Sequence, residues 1–360
     1  MLGANLRRHQ RAGGSMCCSR LKNSLRRRLG AQYGSDGFFH DFDRADIEAP
    51  ITWLVWHVAI ISTVNQHEAI MLYLSRMILG ICAITSACNV LGQDGGHKKA
   101  LVIGIDGCRP DALLVAKAPH LHGLIKNGAF SGKAQTGDMT ASGSGWGSLL
   151  TGVWREKHLV RGNDFKLANF SEYPHVLARV KKARPDSFVA SVVHWEPIQK
   201  LIVKKADVTV AFKTDAEVTK VACELLKDKN PDVLFVHLDD VDGAGHKHGF
   251  HPKEPKYLDA IATADVQVGE LLKAIESRAT FAKEDWLVIV STDHGGSGKG
   301  HGQNTPEHRT IFLIVSGKSA ARGTIDPPPS IVDIAPTVLR HLGIAIDEKW
   351  GLDGKAVGLK

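Results

Sequence analysis

Residues Ser291–Gly302 read STDHGGSGKGHG, and the apolar run Trp286–Val290 (WLVIV) leads directly into them. An apolar run of this length reads as a strand buried on both faces, as in a parallel sheet. Asp293 and His294 then stand where the chain leaves the carboxyl edge of that sheet, the edge at which open α/β folds bind ligands. The glycines of the stretch permit sharp turns and close backbone approach, and His301 brings a second imidazole into the same loop. A carboxylate with imidazoles in a glycine-rich loop is a metal-site composition, although a solvated or hydrogen-bonded loop histidine has the same appearance.

Working outward, the same unit recurs. Ala100–Ile105 (ALVIGI) is an apolar strand ending in Asp106-Gly107, and a helix from Arg109 to about Lys117 follows, with Pro110 and Asp111 in its first turn. Ser187–Val193 (SFVASVV) is a further strand. Thr214-Asp215-Ala216-Glu217 is a capping box, followed by one apolar face at Val218, Val221, Ala222, Leu225 and Leu226. Asp232–Leu238 (DVLFVHL) is again strand-like, and beyond it Asp242 and His246, separated by glycines, can fold onto one ion. Lys247, His248 and His251 read as solvated loop residues. A helix from about Lys256 to Ser277, a strand at Arg309–Val315 and a closing helix at Ile331–Leu342 complete the chain. This alternation predicts an α/β fold with a mainly parallel sheet between helices, in one domain over residues 93–360.

Between the first two strands lies Met139–Gly152 (MTASGSGWGSLLTG), a tight turn opening a helix. A hydroxyl there sits in a field that stabilises an anion, and the free N–H groups can hold a phosphate oxygen; a plain N-cap serine is the simpler reading. Ser142 and Ser144 lack the flanking glycines of a G-x-S-x-G elbow, and Lys299 lacks the surroundings of a Walker lysine.

The net charge of +7 would suggest a nucleic-acid partner if it were spread over the fold. It is not. Arg7, Arg8, Arg11, Arg20, Lys22, Arg26, Arg27 and Arg28 all fall within residues 1–30, which contain no acid, so duplex nucleic-acid binding is not expected of the folded body. Residues 1–70 read as disordered or as an upstream gene-model extension. Met71–Gly92 (MLYLSRMILGICAITSACNVLG) has the basic, apolar and small-residue order of a secretory signal. Translation from Met71 and export to a periplasmic or secreted location are therefore expected, with no transmembrane segment in the mature chain. Cys88 also offers a lipoprotein anchor. A native peptide from residues 1–60 in a mass spectrum would overturn this start. Cleavage at Gly92 leaves only Cys108 and Cys223, so no thiolate metal site can form and any metal is held by oxygen and nitrogen.

Three acids (Asp106, Asp242 and Asp293) and three imidazoles (His246, His294 and His301) are thus expected at one sheet edge. Carboxylates gathered without cations raise one another's pKa, and two divalent ions resolve that conflict. With GIDGCRPDAL (Gly104–Leu113), TASGSGWGSLLTG (Thr140–Gly152), DDVDGAGHKHG (Asp239–Gly249), STDHGG…HG and DIAPTVLRHLG (Asp333–Gly343) in this order, the chain resembles the alkaline phosphatase superfamily, in particular its type I phosphodiesterase/nucleotide pyrophosphatase-like branch. The resemblance implies a three-layer α/β/α sandwich and two divalent ions, zinc being usual. Asp106, Asp293, His294 and the Ser142 oxygen would hold one ion; Asp242, His246 and His301 would hold the other, with His308 competing for the last place. It also implies a small phosphorylated substrate, mono- or diester, cleaved through a phospho-serine at Ser142. Nucleotide pyrophosphatases usually carry Thr there, with a phosphate-binding Asn shortly after. That Asn is missing here, and Asn163 is either its substitute or a turn residue. A phosphomutase of the same superfamily, a sulfatase-like hydrolase and a non-catalytic binding protein are the alternatives; the spacing between the metal motifs leaves little room for the cap domain the first would need. The Cys/Ser-x-Pro-x-Arg sulfatase signature is absent, and no ligand position is lost.

Overall fold

The computed structural model describes residues 96–360; the basic tail, the export-like segment 71–92 and Cys17, Cys18, Cys82 and Cys88 lie outside the described residues. An eight-stranded sheet forms the centre, in the order β4-β3-β5-β1-β6-β7-β2-β8. Its strands are β1 (His97–Ile105), β2 (Ala129–Gln135), β3 (Val189–Val193), β4 (Val208–Ala211), β5 (Val233–Leu238), β6 (Glu284–Ser291), β7 (Thr310–Gly317) and β8 (Gly323–Thr324). All run parallel except β7, which is antiparallel to both β6 and β2. The expected strand at Arg309–Val315 is therefore present, reversed in direction.

Alternation along β1 shows why the sheet needs two covers. Ala100 and Val102 point into one apolar cluster, Leu101, Ile103 and Ile105 into another, and all five are buried. The first cluster is closed by α3 (Ser142–Thr151), α5 (Val176–Ala183) and α10 (Ile334–His341). The second is closed by α1 (Pro110–Val115), α2 (Pro119–Asn127), α6 (Asp215–Asp228) and α8 (Pro255–Glu276). Single-turn helices α4 (Arg155–His158) and α9 (Pro306–Arg309) sit in the loops, and α7 (Asp240–His248) follows β5. This is the three-layer sandwich.

Local chemistry explains the boundaries. Thr214 Oγ1 accepts from the Glu217 N–H at 3.2 Å and starts α6, whose Val218, Ala222, Leu225 and Leu226 are buried. Pro336 falls in the first turn of α10, where its missing N–H has no intrahelical partner to lose. The expected loop carrying Asp242 and His246 is instead the helix α7, with Lys247 and His248 exposed in its last turn. His251 is exposed in the loop after it, as expected. No described helix is long and apolar enough to cross a membrane.

Candidate active site

Because β5, β1 and β6 are adjacent and parallel, the residues that follow them emerge side by side. Asp106 follows β1, the turn into α7 follows β5, and Thr292–His294 follow β6. Gly107, at φ +61°, turns the chain under Asp242, where a Cβ would come within 2.5 Å of Asp242 Oδ1. Its N–H donates to Asp293 Oδ1 at 3.2 Å. Helix α3 packs its start against the same place: a Cβ on Gly145 would lie 2.7 Å from Asp293 Cβ. The glycine there lets the helix carrying Ser142 approach the carboxylates directly.

Asp106, Asp293 and His294 are buried and converge. Asp106 Oδ2 accepts from Trp146 Nε1 at 2.9 Å and from His237 Nε2 at 3.1 Å. His294 Nδ1 donates to the Gly295 carbonyl at 2.8 Å, leaving the Nε2 lone pair inward. That lone pair lies 3.5 Å from Asp106 Oδ1, 3.2 Å from Asp293 Oδ2 and 3.4 Å from Ser142 Oγ. Neither Asp106 Oδ1 nor Asp293 Oδ2 has a hydrogen-bond partner.

The second group repeats the pattern. His246 Nδ1 donates to the Lys299 carbonyl at 3.0 Å and His301 Nδ1 to the Thr140 carbonyl at 2.8 Å. Their Nε2 atoms, both left as acceptors, face each other at 3.1 Å. Asp242 Oδ2 is 3.2 Å from His246 Nε2, and Asp242 Oδ1, 3.8 Å from His301 Nε2, is buried without a partner. On helix α7 the i, i+4 spacing of Asp242 and His246 puts both on one face.

Lone pairs facing lone pairs are repulsive unless a cation lies between them, so the donor chemistry fits a divalent ion in each group. The titration behaviour follows from the same crowding. Burial, then the charge of Asp293, pushes Asp106 up to about 8. Burial, then Asp106, pushes Asp242 up to about 7, and Asp293 is raised by burial and then by Asp242. Burial, then His294, lowers His301 to about 3, keeping its ring neutral as ligation requires.

His308 is engaged elsewhere. Its Nδ1 accepts from the Gln303 N–H at 3.1 Å and its Nε2 donates to Ser297 Oγ at 2.7 Å, so it staples the glycine-rich loop. Ser144 Oγ turns back to the Met139 carbonyl at 3.0 Å, away from the carboxylates. Asn163 lies at the start of α3: its Oδ1 accepts from the Gly143 N–H at 2.8 Å, which fixes its amide group against Gly143, next to Ser142 in the chain. The Gly143 N–H is therefore occupied by Asn163 rather than free for a substrate oxygen.

Two supporting residues were not foreseen. Trp146 and His237 are fully buried, with ring centroids 4.8 Å apart, and both hold Asp106 Oδ2. The sequence mark of His237 is a lone histidine inside the apolar strand β5. A further cluster, His194–Asp215–Asp240, is already satisfied around Asp215: Oδ1 accepts from His194 Nδ1 at 2.7 Å and from the Asp239 N–H at 2.8 Å, and Oδ2 from the Asp240 N–H at 3.0 Å. It braces the turn into α7.

The chain is similar to several known proteins. The chain is 28% identical over 189 residues to a 2,3-bisphosphoglycerate-independent phosphoglycerate mutase of Haloquadratum walsbyi, covering 50% of this chain and 34% of that one. It is 23% identical over 241 residues to the bis(5'-adenosyl)-triphosphatase ENPP4 of Bos taurus, covering 61% and 52%. The chain thus spans about half or less of the length of these relatives. Murine ectonucleotide pyrophosphatase/phosphodiesterase 5 has the same fold, with a TM-score of 0.57 at 14% identity, covering 69% of this chain and 96% of that one. So does a 2-O GAG sulfatase, with a TM-score of 0.57 at 14% identity, covering 72% and 73%. The family model for type I phosphodiesterase / nucleotide pyrophosphatase matches residues 100–181 and 168–313. These spans take in every residue of the two lone-pair clusters, and the chain belongs to the type I phosphodiesterase / nucleotide pyrophosphatase family.

Proposed function

We propose that the chain hydrolyses phosphoric esters, with Ser142 as nucleophile beside two groups of residues that would each hold a divalent cation. The observation that carries this reading is the convergence of inward-facing ligand atoms with no hydrogen-bond donor supplied to them by the protein: Asp106 Oδ1, Asp293 Oδ2 and His294 Nε2 beside Ser142 Oγ, and Asp242 Oδ1 near His246 Nε2 and His301 Nε2. Asp106, Asp293, His294 and Ser142 would hold one ion, and Asp242, His246 and His301 the other; mixed imidazole and carboxylate ligation favours zinc. When bound, such ions offer Lewis-acid stabilisation of phosphoryl oxygens and lower the pKa of a coordinated hydroxyl or water.

The protein's own residues do the rest. Ser142, at the first position of α3, attacks in the positive field of the helix terminus. The phosphorus–oxygen bond to Ser142 forms as the bond to the leaving alcohol breaks, and the alcohol departs with a proton. Water then cleaves the phospho-serine and returns the hydroxyl. The Asn163 amide holds a non-bridging oxygen, since its carbonyl is fixed on Gly143. Burial of Ser142, at 7% exposure, keeps bulk water from the nucleophile.

The test is a substrate panel on zinc-loaded protein: nitrophenyl phosphate, bis-nitrophenyl phosphate and nitrophenyl sulfate. Turnover of a phosphate ester that EDTA abolishes is expected. Sulfate preference would replace the reading by a sulfatase, and EDTA-insensitive silence on all three would favour a binding protein.

His237 and Trp146 act through Asp106. His237→Leu is expected to weaken metal binding by about tenfold to a hundredfold, the usual cost of losing a partner behind a ligand. A chelator-competition titration checks it, and an unchanged affinity would deny His237 that role.

A further inference from the structure

The cavity that the hydrolase reading leaves unused encloses about 790 Å³ between the 165–175 loop, helix α5 and the Leu201–Lys205 segment. That is within the range of small-molecule sites. Arg179 lines it and is 4% exposed. Its Nε donates to the Pro174 carbonyl at 3.1 Å, while Nη2 is buried with no acceptor. Its guanidinium stacks over Trp350, 4.6 Å from the ring centroid. No carboxylate among the described residues pairs with it, and burial alone draws its pKa down, to about 10, so it remains a cation at neutral pH.

A buried guanidinium without a counter-charge is costly to keep, and an anion entering the cavity would complete it. Three other lining residues carry the same sign. Lys182, Lys204 and Lys205 are exposed at the rim. The acid among the lining residues, Glu172, is itself exposed and accepts from Asn169 Nδ2 at 2.8 Å. His175 adds no charge of its own: its Nδ1 accepts from the Ala178 N–H and its Nε2 donates to the Lys204 carbonyl.

One lining residue connects the start of α3 to the cavity. Phe165 lines it, and the same ring lies 3.0 Å from where a Cβ on Gly143 would stand, next to Ser142. Phe165 thus bridges the residue after Ser142 and the cavity wall.

We propose that the cavity is a subsite for a second anionic group carried by the ester, with Arg179 as its anchor; this rests on the hydrolase reading above. The chemical class is a phosphoric ester whose non-reacting part ends in a carboxylate or phosphate.

The test uses nitrophenyl alkyl phosphodiesters of graded chain length, each made with a methyl and with a carboxylate end, on the zinc-loaded full chain. Within each variant the quotient of kcat/KM, carboxylate over methyl, is read, so a general loss cancels. At the best chain length the quotient is expected to be about tenfold or more in the parent protein. It should collapse in Arg179→Met, persist largely in Arg179→Lys, and drop in the rim variant Lys182→Glu, which decides the matter if Arg179→Met fails to fold. No carboxylate preference at any length, or one that survives both Arg179→Met and Lys182→Glu, overturns the subsite while leaving the hydrolase intact. Calorimetric binding of inorganic sulfate that Arg179→Met removes, without ester preference, makes this a separate anion site and also overturns it. Failure to turn over either ester series removes the hydrolase reading and the subsite with it.

Discussion

Ser142→Ala is expected to lower turnover of the preferred nitrophenyl ester by on the order of 10⁴-fold or more, the scale seen when a nucleophile is deleted from a site whose other parts remain. Metal content should be nearly unchanged, because Asp106, Asp293 and His294 still converge without the hydroxyl. Burst kinetics with the parent protein, and a phosphorylated Ser142 peptide trapped at low pH, would show the covalent intermediate. Activity near that of the parent would exclude Ser142. Ser144 is a poor replacement, since its hydroxyl already donates to the Met139 carbonyl.

Removal of divalent ions is expected to abolish activity and to invert the pH dependence of stability. Asp106 at about 8 and Asp242 at about 7 both lie above the ordinary 3.8 of an unfolded Asp. In the stripped protein the fold thus binds protons that the unfolded chain releases. Their contribution to stability is complete below about pH 4 and is lost as pH rises through 7 to 8. With ions bound the carboxylates are held charged, and the loss should move to acid pH. Near pH 8, saturating zinc should raise the Tm of the stripped protein by on the order of 5–10 °C, as tight ligand binding to a domain of this size implies. Differential scanning calorimetry across pH 4–9, with and without zinc, measures both effects. A stripped protein whose Tm neither falls toward pH 8 nor responds to zinc would mean that the inward lone pairs do not hold a cation.

Much of this was legible from the chain because parallel strands buried on both faces read as unbroken apolar runs. β1, β5 and β6 are such runs, and the acids follow them directly. β2 (AFSGKAQ) escaped notice because it is only partly buried and carries a glycine and a lysine, and β4 and β8 are edge strands. The direction of β7 has no sequence mark. Helix α7 read as a loop because Gly243 and Gly245 disfavour helix. Packing overrides this preference: Gly245 seats against the Phe250 ring, where a Cβ would come within 2.3 Å, and Asp240 in the first turn and Lys247 in the last match the helix dipole. The pairing of Trp146 and His237 on Asp106, and the solitude of Arg179, depend on distant segments meeting, which no local pattern encodes.

Thr140 precedes the serine by two positions and also grips the far loop. Its carbonyl takes the His301 ring N–H, while its hydroxyl donates to the Gln303 carbonyl and accepts the Gly302 N–H. Ser142 and the His301 ring are thereby yoked through one short segment. A displacement of the His301 ring would therefore pull on the backbone two residues before Ser142.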